Sequence, residues 1–223
     1  LGAGDGVQTS ALRERFPEVT PIDVALSVDV DGLIVADASC LPFVSDHFDL
    51  VFSSNVLEHV EDLDSCLEEM KRVLVPGGTM IHSMPTGTWK VIQVAARPVA
   101  SVVKTVRKLV PGMSRSSERA SPGSHMAAHG TVQAGRSVSQ KIVGQFIPSL
   151  HGVSGNHVRE FIRFRPRWWK QKYRGAGLEC YGSSLLFLHS PYDMLPYRLI
   201  ALRDRLGRAS LASVEVYWLR PDA

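Results

Sequence analysis

Cysteine is scarce in this sequence of 223 residues, which contains only Cys40, Cys66 and Cys180. The three are widely spaced and odd in number, which argues against a disulfide framework and against the paired ligand spacing of a zinc site. Long apolar runs are also lacking: no stretch of about 18 residues could cross a membrane, and no amino-terminal secretion signal is visible. These absences predict a protein of the reducing cytoplasm.

Each half of the chain is poor in charges of one sign. Residues 1–75 contain 15 acidic and 4 basic side chains, whereas residues 76–223 contain 7 acidic and 21 basic ones. The net charge of +3 therefore combines an acidic half with a strongly basic one. A basic half attracts an anionic substrate, a membrane surface or nucleic acid, although solvated surface charge explains the pattern equally well.

The most informative stretch is residues 36–85, which predicts strand, loop, strand, helix, turn and strand. Phe48–Ser53 is mostly apolar, which is typical of a strand buried on both faces of a parallel sheet. Either Asp62 or Asp64 caps the helix that follows, and the Pro-Gly-Gly turn at residues 76–78 ends it. The helix has one apolar stripe, formed by Leu63, Cys66, Leu67, Met70, Val73 and Leu74. Together these elements form a right-handed parallel βαβ unit.

The chain opens with a glycine at every second position, Gly2, Gly4 and Gly6, followed by helix-compatible residues from Val7 to Phe16. Without side chains, the backbone turns tightly and passes close to a bound nucleotide-like molecule. The dinucleotide fingerprint needs its third glycine three residues after the second, and Val7 occupies that position here. The loop therefore predicts a ligand-binding turn and disfavours a nicotinamide or flavin site.

Two short strands are predicted next, at Val19–Val24 and Asp29–Ala36. A carboxylate at the carboxyl end of the second strand of an open α/β sheet is placed to accept hydrogen bonds from ribose hydroxyls. Asp23 is the first candidate for this role, and Asp29 and Asp31 compete with it because the register of so short a segment is open. The link between the strands is too short for a full crossover helix, so the crossover is abbreviated or differently routed.

Four motifs follow one another over about the first 85 residues. They are Gly2-Ala3-Gly4-Asp5-Gly6, then Ala36-Asp37-Ala38 with Leu41-Pro42-Phe43, then Phe48-Asp49-Leu50-Val51 with Val56-Leu57-Glu58-His59-Val60, and finally Leu74-Val75-Pro76-Gly77-Gly78. In order and spacing they resemble class I S-adenosylmethionine-dependent methyltransferases, and within these the small-molecule group called methyltransferase type 11. A random α/β protein rarely reproduces all four.

The resemblance implies a cofactor site built from the ends of strands. The three loop glycines would pass beneath the methionine and ribose parts of S-adenosylmethionine, and Asp23 would hold the ribose. Asp37 would bind the exocyclic amine of adenine, and Ala38 would bind adenine through its backbone. Asn55, at the end of the fourth strand, would face the methionine end or the substrate. Ligands of open parallel sheets bind outside these carboxyl ends.

His59 lies just past the fourth strand, on the side where the resemblance places the sulfonium. A neutral imidazole there can take a proton from an attacking hydroxyl or phenol, so His59 is the candidate catalytic residue. The alternative for His59 is packing beside the loop, because methyl transfer needs chiefly an aligned nucleophile.

The family places an apolar first strand, usually ending in an acidic residue, before its glycine loop. This chain begins at the loop, so we expect the sequence to lack its true amino terminus. A non-catalytic binding module or partner subunit with the same fold is therefore the alternative to an enzyme, and a nicotinamide oxidoreductase ranks third.

An insertion follows the fifth strand. Trp89–Val110 is apolar with basic residues near its end, which predicts a lid helix or a surface that contacts a membrane or lipid-like substrate. His151, Asn156 and His157 lie in a glycine-containing loop and are the candidate substrate-contacting residues. A metal site formed by the two histidines and Glu160 is disfavoured because no second ligand cluster supports it, and no metal is predicted.

The last part of the chain predicts a helix over Pro166–Arg174 and two apolar strands, Leu178–Leu188 and Ser213–Leu219. The helix carries two tryptophans and a tyrosine, for which core packing is favoured over stacking on a substrate. By the resemblance, the two strands form the antiparallel pair that closes the methyltransferase sheet.

The sequence as a whole predicts a Rossmann-like α/β fold, with a mostly parallel sheet, an antiparallel carboxyl-terminal pair and an insertion after strand 5. Its predicted parts are a cofactor core at residues 1–86, a lid and substrate-shaping insertion at residues 87–160, and a closing segment at residues 161–223. The predicted acceptor is a small molecule, anionic or linked to a lipid or glycan, met in the cytoplasm or at the inner face of the membrane. Nucleic acid is disfavoured because the residues around Asn55 lack the paired prolines and aromatic that grip a flipped base.

Overall fold

The computed structural model describes residues 1–26, 30–92, 94–95, 155–186, 200–207 and 212–222. Asp29, His151 and most of the predicted insertion lie outside the described residues. Within the described ranges, no helix combines the length and the apolar character needed to cross a membrane.

Two short parallel strands form a sheet of their own, β1 (Ile22–Asp23) and β2 (Ile34–Val35). They are much shorter than the sequence predicts. None of the described residues between them is helical, so the crossover is the abbreviated one of the two alternatives. Helix α1 (Val7–Arg13) begins directly after the glycine loop and ends before the predicted Phe16.

Four strands form the second sheet: β3 (Phe48–Ser54), β4 (Leu74–Pro85), β5 (Leu178–Leu185) and β6 (Val214–Pro221). Their order in space is β3-β4-β6-β5. The first two run parallel, and β6 runs antiparallel to both of its neighbours, which confirms the predicted closing pair. Among the described strands β3 pairs only with β4, and its outer side chains are partly exposed, so the prediction of a strand buried on both faces was wrong.

The remaining helices are α2 (Leu63–Val73), α3 (His157–Arg163), α4 (Pro166–Gly175) and α5 (Ile200–Leu206), and residues 87–92 are also helical. Asp62 caps α2 by accepting the N–H of Ser65 at 3.1 Å, which decides between the two predicted caps. The helix ends one residue before the predicted apolar stripe does. Leu74 is already extended there and pairs with Phe48 in the sheet.

The core lies on the face of the four-stranded sheet that α2 and α4 cover. Trp169 and Tyr173 of α4 are fully buried, which confirms core packing rather than substrate stacking for both, whereas Trp168 is partly exposed. Each such aromatic ring buries about 150–250 Å² and dominates core energetics. Other core residues are Val51, Cys66, Leu67, Met70, Met80, Leu178, Tyr217 and Leu219.

A buried polar pair interrupts this apolar face. The Oγ of Ser53 and the Nδ1 of His82 lie 2.8 Å apart on the paired strands β3 and β4. The His82 ring also stacks on Tyr173, with ring centroids 6.0 Å apart. Because burial penalises the charged imidazolium, the pKa of His82 is lowered to about 3, and the ring is neutral at pH 7.

Candidate functional site

The glycine loop is packed on one side and open on the other. Gly2, Gly4 and Gly6 have φ angles of 69°, 53° and 75°, the left-handed region that favours glycine. A Cβ on Gly2 would overlap the side chain of Val56, just past the end of β3. At Gly4, by contrast, no atom of the described residues other than its chain neighbours lies within 4 Å of the Cβ position. The backbone at Gly4 therefore faces open space, as a ligand cradle requires.

Asp23, at the carboxyl end of β1, holds the glycine loop in place. Its Oδ2 accepts the N–H of Gly4 at 3.0 Å, and its Oδ1 accepts the N–H of Ala25 at 3.3 Å. The N–H of Ala3 donates to the carbonyl of Ile22 at 3.0 Å. Asp23 thus lies beside the loop, and its predicted ribose contact stays a prediction.

Asp37 lies two residues after the end of β2 and presents an exposed carboxylate. Its Oδ1 accepts the N–H of Ser39 at 2.8 Å and the hydroxyl of Ser39 at 2.7 Å, and these hydrogen bonds lower the pKa of Asp37. Ala38 is buried beside it. The N–H of Ala36 donates to the carbonyl of Asp23 at 2.9 Å, so the ends of β1 and β2 lie side by side.

Asn55 ends β3 in a left-handed conformation, with a φ of 53°, which asparagine tolerates better than most residues. Its N–H donates to the carbonyl of Ser83 in β4 at 2.9 Å. In the short 3₁₀ turn that follows, the His59 side chain is 42% exposed and the Glu58 side chain is 2% exposed. His59 stays a candidate proton acceptor. The sequence analysis missed Glu58, because nothing in the sequence shows which of two adjacent polar residues faces inward.

These contacts join the predicted cofactor residues into one continuous edge. The N–H of Ala36, the residue before Asp37, donates to the Asp23 carbonyl, and the Asp23 carboxylate accepts the N–H of Gly4. At the other end of the glycine loop, Gly2 packs against Val56, the residue that follows Asn55. The carboxyl ends of β1, β2 and β3 therefore meet around the glycine loop, where open α/β sheets bind ligands.

A second group of side chains lies beyond the carboxyl end of β4. The hydroxyl of Thr86 accepts the N–H of Trp89 at 3.2 Å and so caps the helical residues 87–92. The Nζ of Lys90 and the Oε2 of Glu160 in α3 lie 2.6 Å apart, and both side chains are buried. Beside this ion pair lies a groove of about 340 Å³, lined by Lys90, Val91, Val94, Ala95 and Phe161.

The predicted substrate loop is only partly described. The Oδ1 of Asn156 accepts the N–H of Arg159 at 2.8 Å, so Asn156 caps α3. His157 is the first residue of α3, but its side chain is outside the described part, as is His151. Glu160 belongs to the buried ion pair, which removes it from the alternative metal site. No group of three potential metal ligands occurs among the described residues. Substrate contact by this loop stays a prediction.

A pair of charged residues on α2 was also missed. Glu69 and Arg72 face the loop between Asp37 and β3 and form hydrogen bonds with its backbone. Their spacing of three residues was visible in the sequence, but such pairs usually indicate no more than a solvated helix face.

Comparison with known families matches residues 1–82 to the model of a methyltransferase domain. The match includes the glycine loop, the strand ends that carry Asp23, Asp37 and Asn55, and helix α2. It ends within β4, so it includes neither the groove beside Lys90 nor the closing strands.

Two curated relatives are malonyl-[acyl-carrier protein] O-methyltransferases. That of Methylococcus capsulatus is 35% identical over an alignment of 96 positions that covers 37% of this chain and 35% of the relative. That of Coxiella burnetii is 33% identical over an alignment of 88 positions that covers 37% of this chain and 31% of the relative. The chain thus spans about a third of the length of these relatives.

Solved structures share the fold. The [4+2]-cyclase SpnF has a TM-score of 0.52 at 14% identity, and the alignment covers 100% of this chain and 74% of the SpnF chain. The 1,6-didemethyltoxoflavin-N1-methyltransferase of Burkholderia thailandensis, solved with 1,6-didemethyltoxoflavin and S-adenosylhomocysteine, has a TM-score of 0.50 at 13% identity, covering 100% and 69%. Identities this low show the fold alone. Together with the family match, they show that residues 1–82 correspond to a methyltransferase domain, in a chain with the Rossmann-like fold of class I methyltransferases.

Proposed function

We propose that this chain transfers a methyl group from S-adenosylmethionine to a small anionic acceptor, free or linked to a lipid, glycan or carrier. The observation that supports the proposal is the continuous edge from Asp37 through Asp23 and the glycine loop to Asn55. Four sequence-distant segments meet there, and each presents a polar or side-chain-free position of the kind an adenosyl ligand needs.

The residues of this edge fit such a ligand. The exposed Asp37 carboxylate accepts a hydrogen bond from an exocyclic amine, and Ala38 offers backbone groups beside it. The open backbone at Gly4 admits the ribose and methionine parts, with Asp23 at the ribose and Asn55 at the amino acid end. All of these side chains come from strand ends or from loops hydrogen-bonded to them, so the site is largely formed in advance.

S-Adenosylmethionine supplies an electrophilic methyl group on a positively charged sulfonium when it is bound. The protein then acts chiefly by aligning the acceptor and excluding water, which increases the rate through proximity and orientation. His59 is the proposed proton acceptor for an acceptor hydroxyl, because its ring is partly exposed just beyond Asn55. A carboxylate acceptor has no proton to lose, and methylation would then not depend on His59.

Three observations support an anionic acceptor with an apolar part. The groove beside Lys90 is almost wholly apolar and lies beyond the carboxyl end of β4. Exposed basic residues occur on and between α3 and α4, namely Arg159, Arg165, Arg167 and Arg174, and the Arg165 guanidinium lies 5.1 Å from the ring centroid of Phe161 in the groove. The curated relatives act on malonyl groups held by an acyl-carrier protein, a substrate of this chemistry. An acyl group on a carrier is therefore one acceptor within the proposed class.

The test is methyl transfer from isotopically labelled S-adenosylmethionine to a panel that contains malonyl-acyl-carrier protein, a free dicarboxylic acid, a lipid phosphate and a neutral phenol. We expect label only in anionic acceptors, and at least tenfold less in Asp37→Ala than in the matched control Asp49→Ala, whose carboxylate is exposed on β3. Cofactor binding without transfer to any acceptor would favour the binding module, and transfer to the phenol alone would contradict the acceptor class.

A further inference from the structure

Glu69 and Arg72 of α2 form a network with the backbone of the preceding loop. The Nε and Nη2 of Arg72 donate to the two carboxylate oxygens of Glu69 at 2.7 and 2.8 Å. The same guanidinium donates to the carbonyls of Phe43 and Leu41 at 2.7 and 3.0 Å. The N–H of Leu41 donates to the Oε2 of Glu69 at 2.8 Å. Two side chains therefore bind three backbone groups, and we call this network the Glu69–Arg72 clamp.

The loop held by the clamp is residues 37–47, which begins with the Asp37-Ala38 pair and leads into β3. Its far end is also bound to α2, because the N–H groups of Asp46 and His47 donate to the carbonyls of Arg72 and Val73 at 3.0 and 2.9 Å. The clamp thus fixes the middle of the loop, between the proposed adenine contact and the start of β3.

The clamp has the features of a strong ion pair rather than a weak surface one. The Glu69 and Arg72 side chains are 21% and 34% exposed, so solvent screens them less than a fully exposed pair. Hydrogen bonds from Arg72 lower the pKa of Glu69 to about 2, which keeps its carboxylate charged at pH 7. Bidentate pairing of Arg with a carboxylate adds geometric specificity, which a point charge such as Lys does not.

We propose that Glu69 and Arg72 are positioning residues that hold the loop of residues 37–47 in the conformation that binds adenine. The inference rests on the proposed function, since it assigns to these residues an effect on cofactor affinity. If the clamp is lost, cofactor binding must order the loop, and the conformational entropy lost on ordering weakens binding. A weakening of about tenfold or more then follows, because tenfold corresponds to about 1.4 kcal/mol.

The experiment compares calorimetric affinities of the 223-residue chain for S-adenosylhomocysteine and for adenosine. The test variants are Arg72→Met, Arg72→Lys and Glu69→Gln. The matched control is Arg220→Met, because the Nε and Nη2 of Arg220 both contact the Oε2 of Glu179 at 2.7 Å across β5 and β6, away from the loop of residues 37–47. Amide hydrogen exchange at Leu41 gives a second readout that needs no ligand.

We expect Arg72→Met to weaken both ligands by about tenfold, by the same factor, and to speed exchange at Leu41. Arg72→Lys and Glu69→Gln should be intermediate, and Arg220→Met should match wild type. Unchanged affinity in folded Arg72→Met, or an equal loss in Arg220→Met, would overturn the positioning role while leaving the proposed function intact. A wild-type chain that binds neither ligand would overturn both.

Discussion

Polar groups are used differently at the strand-end edge and in the helical layer beyond β4. At the edge, Asp37 is exposed, Asp23 is half-buried, and both carboxylates accept backbone or neighbouring hydroxyl hydrogens. Beyond β4, Lys90 and Glu160 are buried in a direct ion pair. The edge keeps its charges where a ligand can reach them, whereas the helical layer uses buried charges to hold one helix on another.

This difference in burial separates the residues proposed to bind a ligand, at the edge, from those that stabilise the fold, beyond β4. Exposed carboxylates contribute little to stability, so we propose that Asp37 serves a ligand, whereas Asp23 also holds the glycine loop in place. Buried charges are costly unless paired, so substitutions there should destabilise the fold without acting on the cofactor. The predictions below test this separation, from the largest expected effect to the smallest.

Lys90→Met should give the largest loss of stability. It removes the ammonium partner of a carboxylate that is fully buried, and breaking a buried pair in this way costs about 3–5 kcal/mol. Chemical denaturation of the variant measures the loss. The double variant Lys90→Met/Glu160→Met is the control, because it removes both charges and should lose less than the single variant. A single-variant loss below about 1 kcal/mol would mean that the pair is not a structural anchor.

Gly2→Ala should disturb both stability and cofactor binding. A side chain at Gly2 enters left-handed backbone and also meets Val56, so we expect a loss of about 2–5 kcal/mol. Gly155→Ala is the matched control from the helical layer, since Gly155 has a φ of 72° and open space around its Cβ position. Strain alone should cost about 1–2 kcal/mol there. Equal losses of stability in Gly2→Ala and Gly155→Ala would contradict the prediction, as would unchanged S-adenosylhomocysteine affinity in Gly2→Ala.

His82 should make stability depend on pH in the acid range. Its pKa of about 3 in the folded protein lies below the ordinary 6.5, so the unfolded chain binds the extra proton. The contribution of neutral His82 to the free energy of unfolding is complete above pH 6.5 and is lost as the pH falls toward 3. Over that range the free energy of unfolding falls by up to about 1.4 kcal/mol per pH unit. Denaturation of His82→Asn between pH 4 and 7 should show a flatter slope. His47→Asn, at an exposed ring, is the matched substitution control.

The two helix caps should give the smallest effects. Asp62 caps α2 near the edge, and Asn156 caps α3 in the helical layer, so replacing either by Ala should cost about 1 kcal/mol. Asn156→Asp keeps a capping oxygen and should retain stability. If Asn156→Asp also keeps the KM of the acceptor, Asn156 is a cap only. A raised KM at unchanged stability would place its side chain in the acceptor site.

The sequence predicted the edge well because backbone chemistry determines it. Glycine spacing, strand ends and the apolar stripe of α2 are local patterns, and parallel topology then brings the strand ends together without reference to side-chain detail. The local pattern offered Asp62 as one of two caps, and the family resemblance implied the closing antiparallel pair.

Three features could not be predicted from the sequence because they depend on packing between distant segments. Glu58 and His59 are adjacent in the sequence, and only the tertiary fold decides that Glu58 is the buried one. The Glu69–Arg72 clamp and the Lys90–Glu160 pair bind elements that local patterns cannot relate. Strand β3 was misjudged because an apolar sequence does not reveal how many neighbours a strand has.

The most direct test is amide hydrogen exchange of the full chain with and without S-adenosylhomocysteine. If one edge binds the cofactor, the ligand should slow exchange together at Gly4, Ala38 and Asn55, with little change in α4. Protection at only one of these three positions, or protection confined to the helical layer, would contradict a shared cofactor edge.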